Sequence, residues 1–363
     1  MITEILIAIL VEIITNKVLP KIHSFGFQIY LDFRIHFIIL MCDIAIYELE
    51  ERKVQSMGKV FDGIIGLVVA DAVGVPVEFR DRDTYEVTEM RGYGTYNQPP
   101  GTWSDDSSMT LATVESIGRL GRIDPVDIMD NFVMWLEHAA FTPHDEVFDV
   151  GGATRRAITR YDNGTPIFHC GGKSRMDNGN GALMRILPVA MAAKAEKPDK
   201  KILTVKCIAG LTHDHPISHI ACFIYSFMVE NLMNGVDKRE ALSNAIQVVG
   251  KLYNCSEAWQ EYRFLPEIGK YDRDEIKSSG YVVDTLEAAI WCLMNSSSYK
   301  DCVLLAVNLG GDTDTVAAVA GGLAGILYGC GGAYGVPDEW IAQVARKDWI
   351  KGLCDEFENK LSK

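Results

Sequence analysis

Two clusters of acidic and hydroxyl residues stand far apart in the sequence, and each opens a long apolar stretch. The first reads Ser-Asp-Asp-Ser over residues 104–107, and the second reads Gly-Gly-Asp-Thr-Asp-Thr over residues 310–315. At an effective dielectric constant of about 20, two carboxylates roughly 4 Å apart repel each other by about 4 kcal/mol. A fold that gathers both clusters must therefore raise their pKa values or bind a cation between them.

Glu78 is a third acidic candidate, and with Asp105, Asp106, Asp312 and Asp314 it makes a set of carboxylates whose summed charge nearly matches two divalent cations. Oxygen ligands favour Mg²⁺ or Mn²⁺, whereas zinc prefers Cys and His. Hydroxyl groups beside the carboxylates can complete the ligand shells. The predicted metal ligands are Glu78, Ser104, Asp105, Asp106, Asp312, Asp314 and Thr315.

The same residues also have an interpretation without metal. Ser, Asp and Thr at helix starts are ordinary caps and favourable partners of the helix dipole, and Glu78 would then be a surface glutamate just after a helix. Residues two apart on a helix point in nearly opposite directions. Asp312 and Asp314 can therefore share an ion only if Asp312 lies on the entering loop, which Gly310 and Gly311 can form.

The elements that position these residues are predicted to be helices almost throughout, and the predicted fold is a compact all-α orthogonal multi-helix bundle. Apolar residues at helical spacing mark the first helix, Val60–Val73. The further predicted helices are Met109–Leu120, Pro125–Ala140, Ala182–Lys194, Ile202–Leu211, Ile217–Asn234, Lys238–Leu252, Val282–Met294, Tyr299–Val307 and Val316–Tyr328.

Composition limits the function classes. The formal net charge of −14 disfavours nucleic-acid binding, which needs Lys and Arg to displace phosphate counterions. The nine cysteines are scattered and never spaced Cys-x-x-Cys, so they indicate reduced thiols and a cytoplasmic protein. Apolar stretches before residue 57 are too short to span a membrane, and no membrane partner is expected.

The domain prediction divides the chain near Met57. Residues 1–56 are predicted to be an N-terminal extension that is non-native or poorly packed, and no signal peptide is expected there. Residues 57–363 are predicted to be one all-α domain, because the ordered pattern of motifs begins at once after Met57 and no linker interrupts it.

Seven segments together resemble the ADP-ribosylglycohydrolase family, which includes dinitrogenase reductase-activating glycohydrolase. They occur in family order over nearly all of residues 57–335. The matching segments are residues 70–76 with Glu78, 101–109, 149–155, 178–185, 211–216, 283–289 and 310–315. The sequence departs from the commoner form at Ser104, where threonine is usual, at Ser107 after the paired aspartates, and at Ala70, where a glycine often stands.

The resemblance implies an all-α fold of the ADP-ribosylglycohydrolase type, with a binuclear magnesium or manganese centre and a cleft for ADP-ribose. The implied enzyme is a hydrolase that cleaves the glycosidic bond between ADP-ribose and an acceptor, either a protein side chain such as arginine or a small molecule. Its partner would be an ADP-ribosylated protein or a small ADP-ribosyl conjugate. The metal ligands that it implies are the same residues that charge counting selects.

The prediction of substrate-binding residues rests partly on residue types and partly on the family resemblance. Glycines in residues 178–185 expose backbone N–H groups to which a pyrophosphate can bind at a helix start, while the alternative is a turn without a ligand. Arg185 would pair with phosphate or with a core aspartate. The resemblance places His213 near the diphosphate or adenosine ribose and Asp149 near the substrate ribose, with helix capping as the alternative for both. The predicted substrate-binding residues are Asn178, Gly179, Asn180, Gly181, His213 and Tyr281, of which Tyr281 belongs to a cleft wall.

In the predicted mechanism, two metal ions bind the ribose hydroxyls and a water, and Asp149 or Glu78 handles the proton. The predicted catalytic residues are Glu78, Asp105, Asp149 and Asp314. A haloacid dehalogenase-type phosphotransferase is disfavoured, because its D-x-D-x-[TV] motif needs a preceding strand. Terpenoid synthesis needs D-D-x-x-D, and Met109 occupies the last place. A non-catalytic ADP-ribose-binding or structural protein on the same scaffold is the remaining alternative.

Overall fold

A computed structural model describes residues 58–361 of this chain, so the prediction for residues 1–56 lies outside the described residues. Helices dominate this part of the chain. They are α1 (58–74), α2 (Asp105–Leu120), α3 (Pro125–His138), α4 (Gly152–Asp162), α5 (Leu187–Ala192), α6 (Pro198–Ala209), α7 (Pro216–Met233), α8 (Lys238–Tyr253), α9 (Glu257–Gln260), α10 (Val282–Met294), α11 (Tyr299–Val307), α12 (Thr313–Tyr328), α13 (Asp338–Gln343) and α14 (Lys347–Leu361).

Short 3₁₀ turns connect several helices, and no β-strand occurs in residues 58–361. The turns are Val75–Val77, Ile167–His169, Arg175–Asp177, Leu265–Lys270 and Arg273–Glu275. Backbone pairing between distant segments is limited to isolated bridges, such as the one between Gly179 and Tyr281. The predicted all-α fold is therefore confirmed.

Helix α1 is a core helix. Its residues from Ile64 to Val73 are almost completely buried. By length and hydropathy alone, the segment Gly58–Val77 could cross a membrane, but 89% of its apolar window is buried inside the protein. A helix that is apolar on all sides belongs in the middle of a large core.

Helix α12 is the second central helix and crosses α1 closely. Its residues from Thr313 to Ile326 are all buried, and it packs against α2, α7, α10 and α11. At the crossing, a Cβ added to Gly321 would lie 2.5 Å from the carbonyl oxygen of Gly66, a distance that only glycine permits. The close approach brings the C-terminal end of α1 beside the start of α12.

Several helix boundaries differ from the prediction. The predicted helix Ala182–Lys194 is wrong in its first half, because residues 181–185 form turns and α5 begins only at Leu187. Pro188 explains this, since proline is tolerated in the first turn of a helix but not in its interior. Helix α2 begins at Asp105 rather than at Met109. The sequence does not predict helices α4, α9, α13 and α14; α14 packs against α2.

Candidate functional site

The loop before α12 carries the second acidic cluster. Gly310 and Gly311 both have positive φ angles, 76° and 73°, and Asp312 is the N-cap residue of the helix. Asp312 therefore lies on the entering loop, as its convergence with Asp314 requires. The amide of Phe79 donates to the carbonyl of Gly311 over 2.7 Å, which ties this loop to the residue after Glu78.

The first acidic cluster begins helix α2, and Asp71 of α1 holds it in place. Ser104 is the N-cap residue, and its side chain accepts a hydrogen bond from the amide of Asp106. The carboxylate of Asp71, which is fully buried, accepts hydrogen bonds from the amides of Ser104 and Ser107 at 3.0 Å each and from the hydroxyl of Ser107 at 2.5 Å. These bonds fix where Asp105 and Asp106 point.

A direct hydrogen bond joins the two clusters. The hydroxyl of Thr315 donates to Oδ2 of Asp106 over 3.2 Å, and the hydroxyl of Ser104 donates to the same oxygen over 3.2 Å. One oxygen of Asp314, Oδ1, accepts from the amide of Thr315 at 2.9 Å. The start of α2 and the start of α12 thus face each other.

Six acidic side chains meet at this junction. Glu78, Asp105, Asp149 and Asp312 line one cleft of about 400 Å³. Asp106 lies beneath it through its bond to Thr315, and carboxylate oxygens of Glu78, Asp149 and Asp314 lie within 4.8 Å of one another. Residues that are far apart in sequence are brought to one place, as the sequence predicts.

Burial and mutual repulsion raise the pKa values of these carboxyl groups. Burial, followed by the charge of Asp149, raises the pKa of Glu78 to about 9, although a hydrogen bond from Tyr96 opposes the shift. The pKa values of Asp105, Asp106 and Asp314 also lie well above the ordinary value, first because of burial and then because of neighbouring carboxylates. Without a cation the site therefore favours protons.

Several oxygens at the junction fit a cation. Oε2 of Glu78 and one carboxylate oxygen each of Asp106, Asp312 and Asp314 are buried without a hydrogen-bond partner. A buried carboxylate oxygen without a donor is costly, and a metal ion is the partner that satisfies several at once. The donors are all oxygens, which suits Mg²⁺ or Mn²⁺. The residues present therefore fit a hard divalent cation.

The rest of the cleft wall includes residues 151–154 and 179–181, with Phe79, Arg156, Met176 and His213. Asn180 connects this wall to the acidic floor, because its side-chain amide donates to Oδ2 of Asp312 over 2.8 Å and to the hydroxyl of Thr285 over 3.0 Å. The cleft lining thus combines carboxylates with His213 and Arg156.

Comparison with known proteins identifies the family of the chain. A family model described as ADP-ribosylglycohydrolase matches residues 53–363. The chain belongs to the ADP-ribosylglycohydrolase family. This confirms the resemblance seen in the sequence and places the protein among hydrolases.

Two bacterial relatives and one solved structure illustrate the similarity. ADP-ribosylarginine hydrolase Tri1 of Serratia proteamaculans is 33% identical over 307 residues, which cover 84% of this chain and 80% of the relative. ADP-ribosyl-[dinitrogen reductase] glycohydrolase of Rhodospirillum rubrum is 33% identical over 289 residues, which cover 78% of this chain and 89% of the relative. A structure described as an ADP-ribosylglycohydrolase-related protein complex superposes with a TM-score of 0.71 and 30% identity over 86% of this chain and 99% of that chain.

Two of the predicted substrate-binding residues of this glycohydrolase do not line the cleft. The side chain of Asn178 is buried and structural, since its oxygen accepts from the amide and hydroxyl of Ser218 and its amide group donates to the carbonyl of Arg175. Tyr281 lines a neighbouring cavity of about 370 Å³, and its hydroxyl donates to Glu261 over 3.3 Å. The backbone of Gly280, one residue earlier, forms the cleft wall instead.

Neither Asp149 nor His213 is a helix-cap residue in the structure, so the capping alternatives do not apply. Asp149 has a φ of 52°, and α4 begins only at Gly152 with no side-chain cap. The N-cap residue of α7 is His215, while His213 is buried against the cleft. The predicted helix start behind Gly181 is wrong, so a helix dipole cannot contribute there. Within residues 58–361 Arg185 forms no ion pair with an aspartate, and it is not among the residues that line the cleft.

Asp71 and Tyr96 are two site residues that the sequence does not single out. Asp71 is an aspartate within the otherwise apolar α1, and a buried charge in such a helix needs several hydrogen-bond donors. That mismatch between residue and surroundings is a signal that could have identified it. Tyr96 lies in an irregular segment between α1 and α2, where no periodicity marks its position.

Proposed function

We propose that this protein hydrolyses the bond between the anomeric carbon of ADP-ribose and an arginine side chain of a modified protein, with two Mg²⁺ or Mn²⁺ ions as cofactors. The observation that carries the proposal is the set of buried carboxylate oxygens without donors, which come from Glu78 and Asp312 in the cleft lining and from Asp106 and Asp314 beside it. The name of the Serratia relative supports ADP-ribosylated arginine as the substrate. The name of the Rhodospirillum relative supports an ADP-ribosylated protein.

The chain supplies an arrangement for positioning and for charge compensation. Glu78, Asp105, Asp106, Asp312 and Asp314 would hold the ions, with Ser104 and Thr315 contributing hydroxyls. When bound, such ions supply Lewis acidity at the ribose hydroxyls and at the attacking water. Ser104 and Thr315 orient Asp106, and Asn180 orients Asp312, through the hydrogen bonds described above.

The carboxylates also suit the charge that develops in glycosyl transfer. Cleavage of a glycosidic bond passes through an oxocarbenium-like transition state, which is positively charged at the anomeric carbon. Asp149 lies at the cleft surface beside Glu78 and Asp314, where it can accept a proton from water or stabilise that charge. Glu78 is buried beside it and holds a proton strongly, because burial raises its pKa.

The test is release of free ADP-ribose from defined substrates. ADP-ribosyl-arginine peptide, ADP-ribosyl-serine peptide and a small ADP-ribosyl conjugate are assayed with Mg²⁺, with Mn²⁺ and with EDTA. We expect release from the arginine substrate, loss of release in EDTA, and recovery when metal is returned. Tight ADP-ribose binding without any metal-dependent release would favour a non-catalytic binding protein instead.

A matched pair of variants separates the acidic floor from general charge effects. Asp105→Asn removes a carboxylate at the start of α2, whereas Asp348→Asn removes one from the first turn of α14, far along the chain and exposed. We expect the first to lose release by about 10²-fold or more and the second to keep it. Equal activity in the two variants would contradict the proposed role of Asp105.

We also propose that the protein acts in the cytoplasm. The cysteines in the described part of the chain are free thiols, which suits a reducing compartment. Fractionation of cells that express a tagged chain tests this proposal, and recovery outside the cytoplasmic fraction would contradict it.

A further inference from the structure

Arg185 is a fully buried cation that forms no ion pair within residues 58–361. One nitrogen, Nη2, donates to the carbonyl of Ile208 over 3.2 Å and to the hydroxyl of Thr212 over 2.8 Å. The guanidinium carbon lies 4.7 Å from the centre of the Phe132 ring, while Nε and Nη1 have no acceptor. Burying a charge without an ion pair costs stability. We therefore expect the hydrogen bond to Thr212 to have a role other than packing.

The contact determines the direction of the next hydrogen bond. Thr212 is fully buried, and its hydroxyl oxygen lies 2.8 Å from Nδ1 of His213. A threonine hydroxyl has a single proton and two lone pairs. Because the oxygen already accepts from Arg185, its proton is free for Nδ1 of His213. If Nδ1 carried the proton instead, the buried hydroxyl proton would have no acceptor among its described neighbours, which costs about 1 to 3 kcal/mol.

The other ring nitrogen of His213 faces the cleft. His213 lines the cleft together with Gly179 and Gly181. A Cβ on Gly179 would lie 3.5 Å from Nε2, and a Cβ on Gly181 would lie 2.9 Å from Cε1. Two positions without side chains therefore leave this edge of the ring open. Burial, and then the charge of Arg185, lowers the pKa of His213 to about 3, so the ring is neutral.

We infer that Arg185 is a positioning residue that acts through Thr212 to hold His213 as the tautomer protonated at Nε2, which donates one hydrogen bond to a phosphate oxygen of the substrate. The tautomer itself follows from the three side chains. The phosphate as acceptor rests on the proposed function, since ADP-ribose is the ligand that brings a diphosphate to this cleft. The buried guanidinium adds positive potential behind the histidine and so favours an anion there.

The tautomer is tested in the full-length protein without substrate. The protein is labelled with ¹⁵N-histidine, and the long-range ¹H–¹⁵N couplings of the His213 ring are assigned by comparison with His213→Gln. We expect the Nε2-protonated pattern in the natural protein and in Thr212→Ser, which keeps the hydroxyl. In Thr212→Val, which removes it, we expect a mixture of tautomers. An Nδ1-protonated ring in the natural protein would overturn the inference.

The hydrogen bond to substrate is tested by titration with free ADP-ribose and by steady-state kinetics. We expect Thr212→Val to weaken ADP-ribose binding about fivefold to tenfold, to raise KM similarly and to leave kcat within about twofold, with Thr212→Ser close to the natural protein. The control is Thr113→Val, a buried threonine whose hydroxyl bonds only the carbonyl of Met109. Equal ADP-ribose affinity in the Val and Ser variants at position 212 would overturn the positioning role.

The two experiments keep the inference separate from the proposed function. If no arginine substrate is hydrolysed, the proposed function fails, yet the ring couplings and the ADP-ribose titration still decide whether Thr212, through which Arg185 is inferred to act, positions His213. If hydrolysis occurs but the natural protein shows a tautomer mixture at His213, the inference fails while the proposed function stands.

Discussion

The hydroxyl of Thr315 donates a hydrogen bond to Oδ2 of Asp106 across 3.2 Å, although the two residues are 209 positions apart in the sequence. Each residue lies in the first turn of its helix, and each directly follows an aspartate of the acidic junction. The bond therefore fixes the relative placement of two acidic segments, so the geometry of the junction depends on the packing of α2 against α12.

Replacement of Asp71 by asparagine tests how this junction is supported. The change leaves one accepting oxygen and turns an amide group toward a backbone N–H at the start of α2, because both oxygens of Asp71 accept from Ser104. We expect Mn²⁺ affinity to fall about tenfold to 100-fold while the helix content is unchanged. Isothermal titration measures the affinity. Asp62→Asn on the same helix is the control, and equal affinity in both variants would contradict the support assigned to Asp71.

The sequence predicts the ligand set better than the surroundings that organise it. The aspartates of both clusters are recognisable in the sequence because they are closely spaced, and the glycines before Asp312 predict the loop on which it lies. The role of Asp71 depends on which helix start faces α1, a tertiary contact that periodicity does not encode. Tyr281 is a predicted site residue that does not line the cleft, because its side chain turns to a neighbouring cavity while the backbone before it forms the cleft wall. Pro188 is a local signal in the sequence, yet the helical pattern around it hides the turns at residues 181–185.

The stability of the metal-free protein should depend on pH because Glu78 holds a proton more strongly when folded. Its pKa is raised from 4.5 to about 9, so between these values the folded state binds protons that the unfolded state has released. Stability must then fall as pH rises through this window, by up to about 1.4 kcal/mol per pH unit for each such group. His213 and His219, whose pKa values are lowered to about 3 and about 4, oppose this trend only below about pH 6.5.

Urea unfolding in EDTA at pH 6.5, 7.5 and 8.5 measures this dependence. We expect the free energy of unfolding to decrease across the series, and Glu78→Gln to decrease less steeply because it has no proton to lose. Saturating Mn²⁺ should raise stability most at pH 8.5, where protons compete with the cation least within this series. A steeper slope in Glu78→Gln than in the natural protein would show that another group dominates.

Asp314→Asn should separate stability from activity. The oxygen Oδ1 of Asp314 accepts from the amide of Thr315, while Oδ2 is buried without a donor. One carboxylate oxygen of Asp314 lies within 4.8 Å of those of Glu78 and Asp149. An amide group in the Oδ2 position would donate to those carboxylates and remove one negative charge. We expect the metal-free variant at pH 8 to gain about 1 kcal/mol or more in the free energy of unfolding and to lose about 10²-fold or more in turnover. Destabilisation of the metal-free variant would contradict the repulsion argued for the floor, and Asp348→Asn again serves as the control.

Gly74→Ala tests whether the closeness of α1 to α12 matters for the site as well as for the core. A Cβ at Gly74 would lie 2.4 Å from Cα of Asp314, and backbone at that distance cannot move aside as a flexible side chain would. We expect a loss of about 1 to 3 kcal/mol in the free energy of unfolding. Because the displaced atom belongs to Asp314, Mn²⁺ affinity should fall too. Gly352→Ala is the matched control, since its Cβ would meet nothing within 4 Å inside α14; it should stabilise the helix by about 1 kcal/mol and leave Mn²⁺ binding unchanged. If Gly74→Ala lost stability but bound Mn²⁺ as the natural protein does, the start of α12 would tolerate displacement, and the site would not depend on this contact.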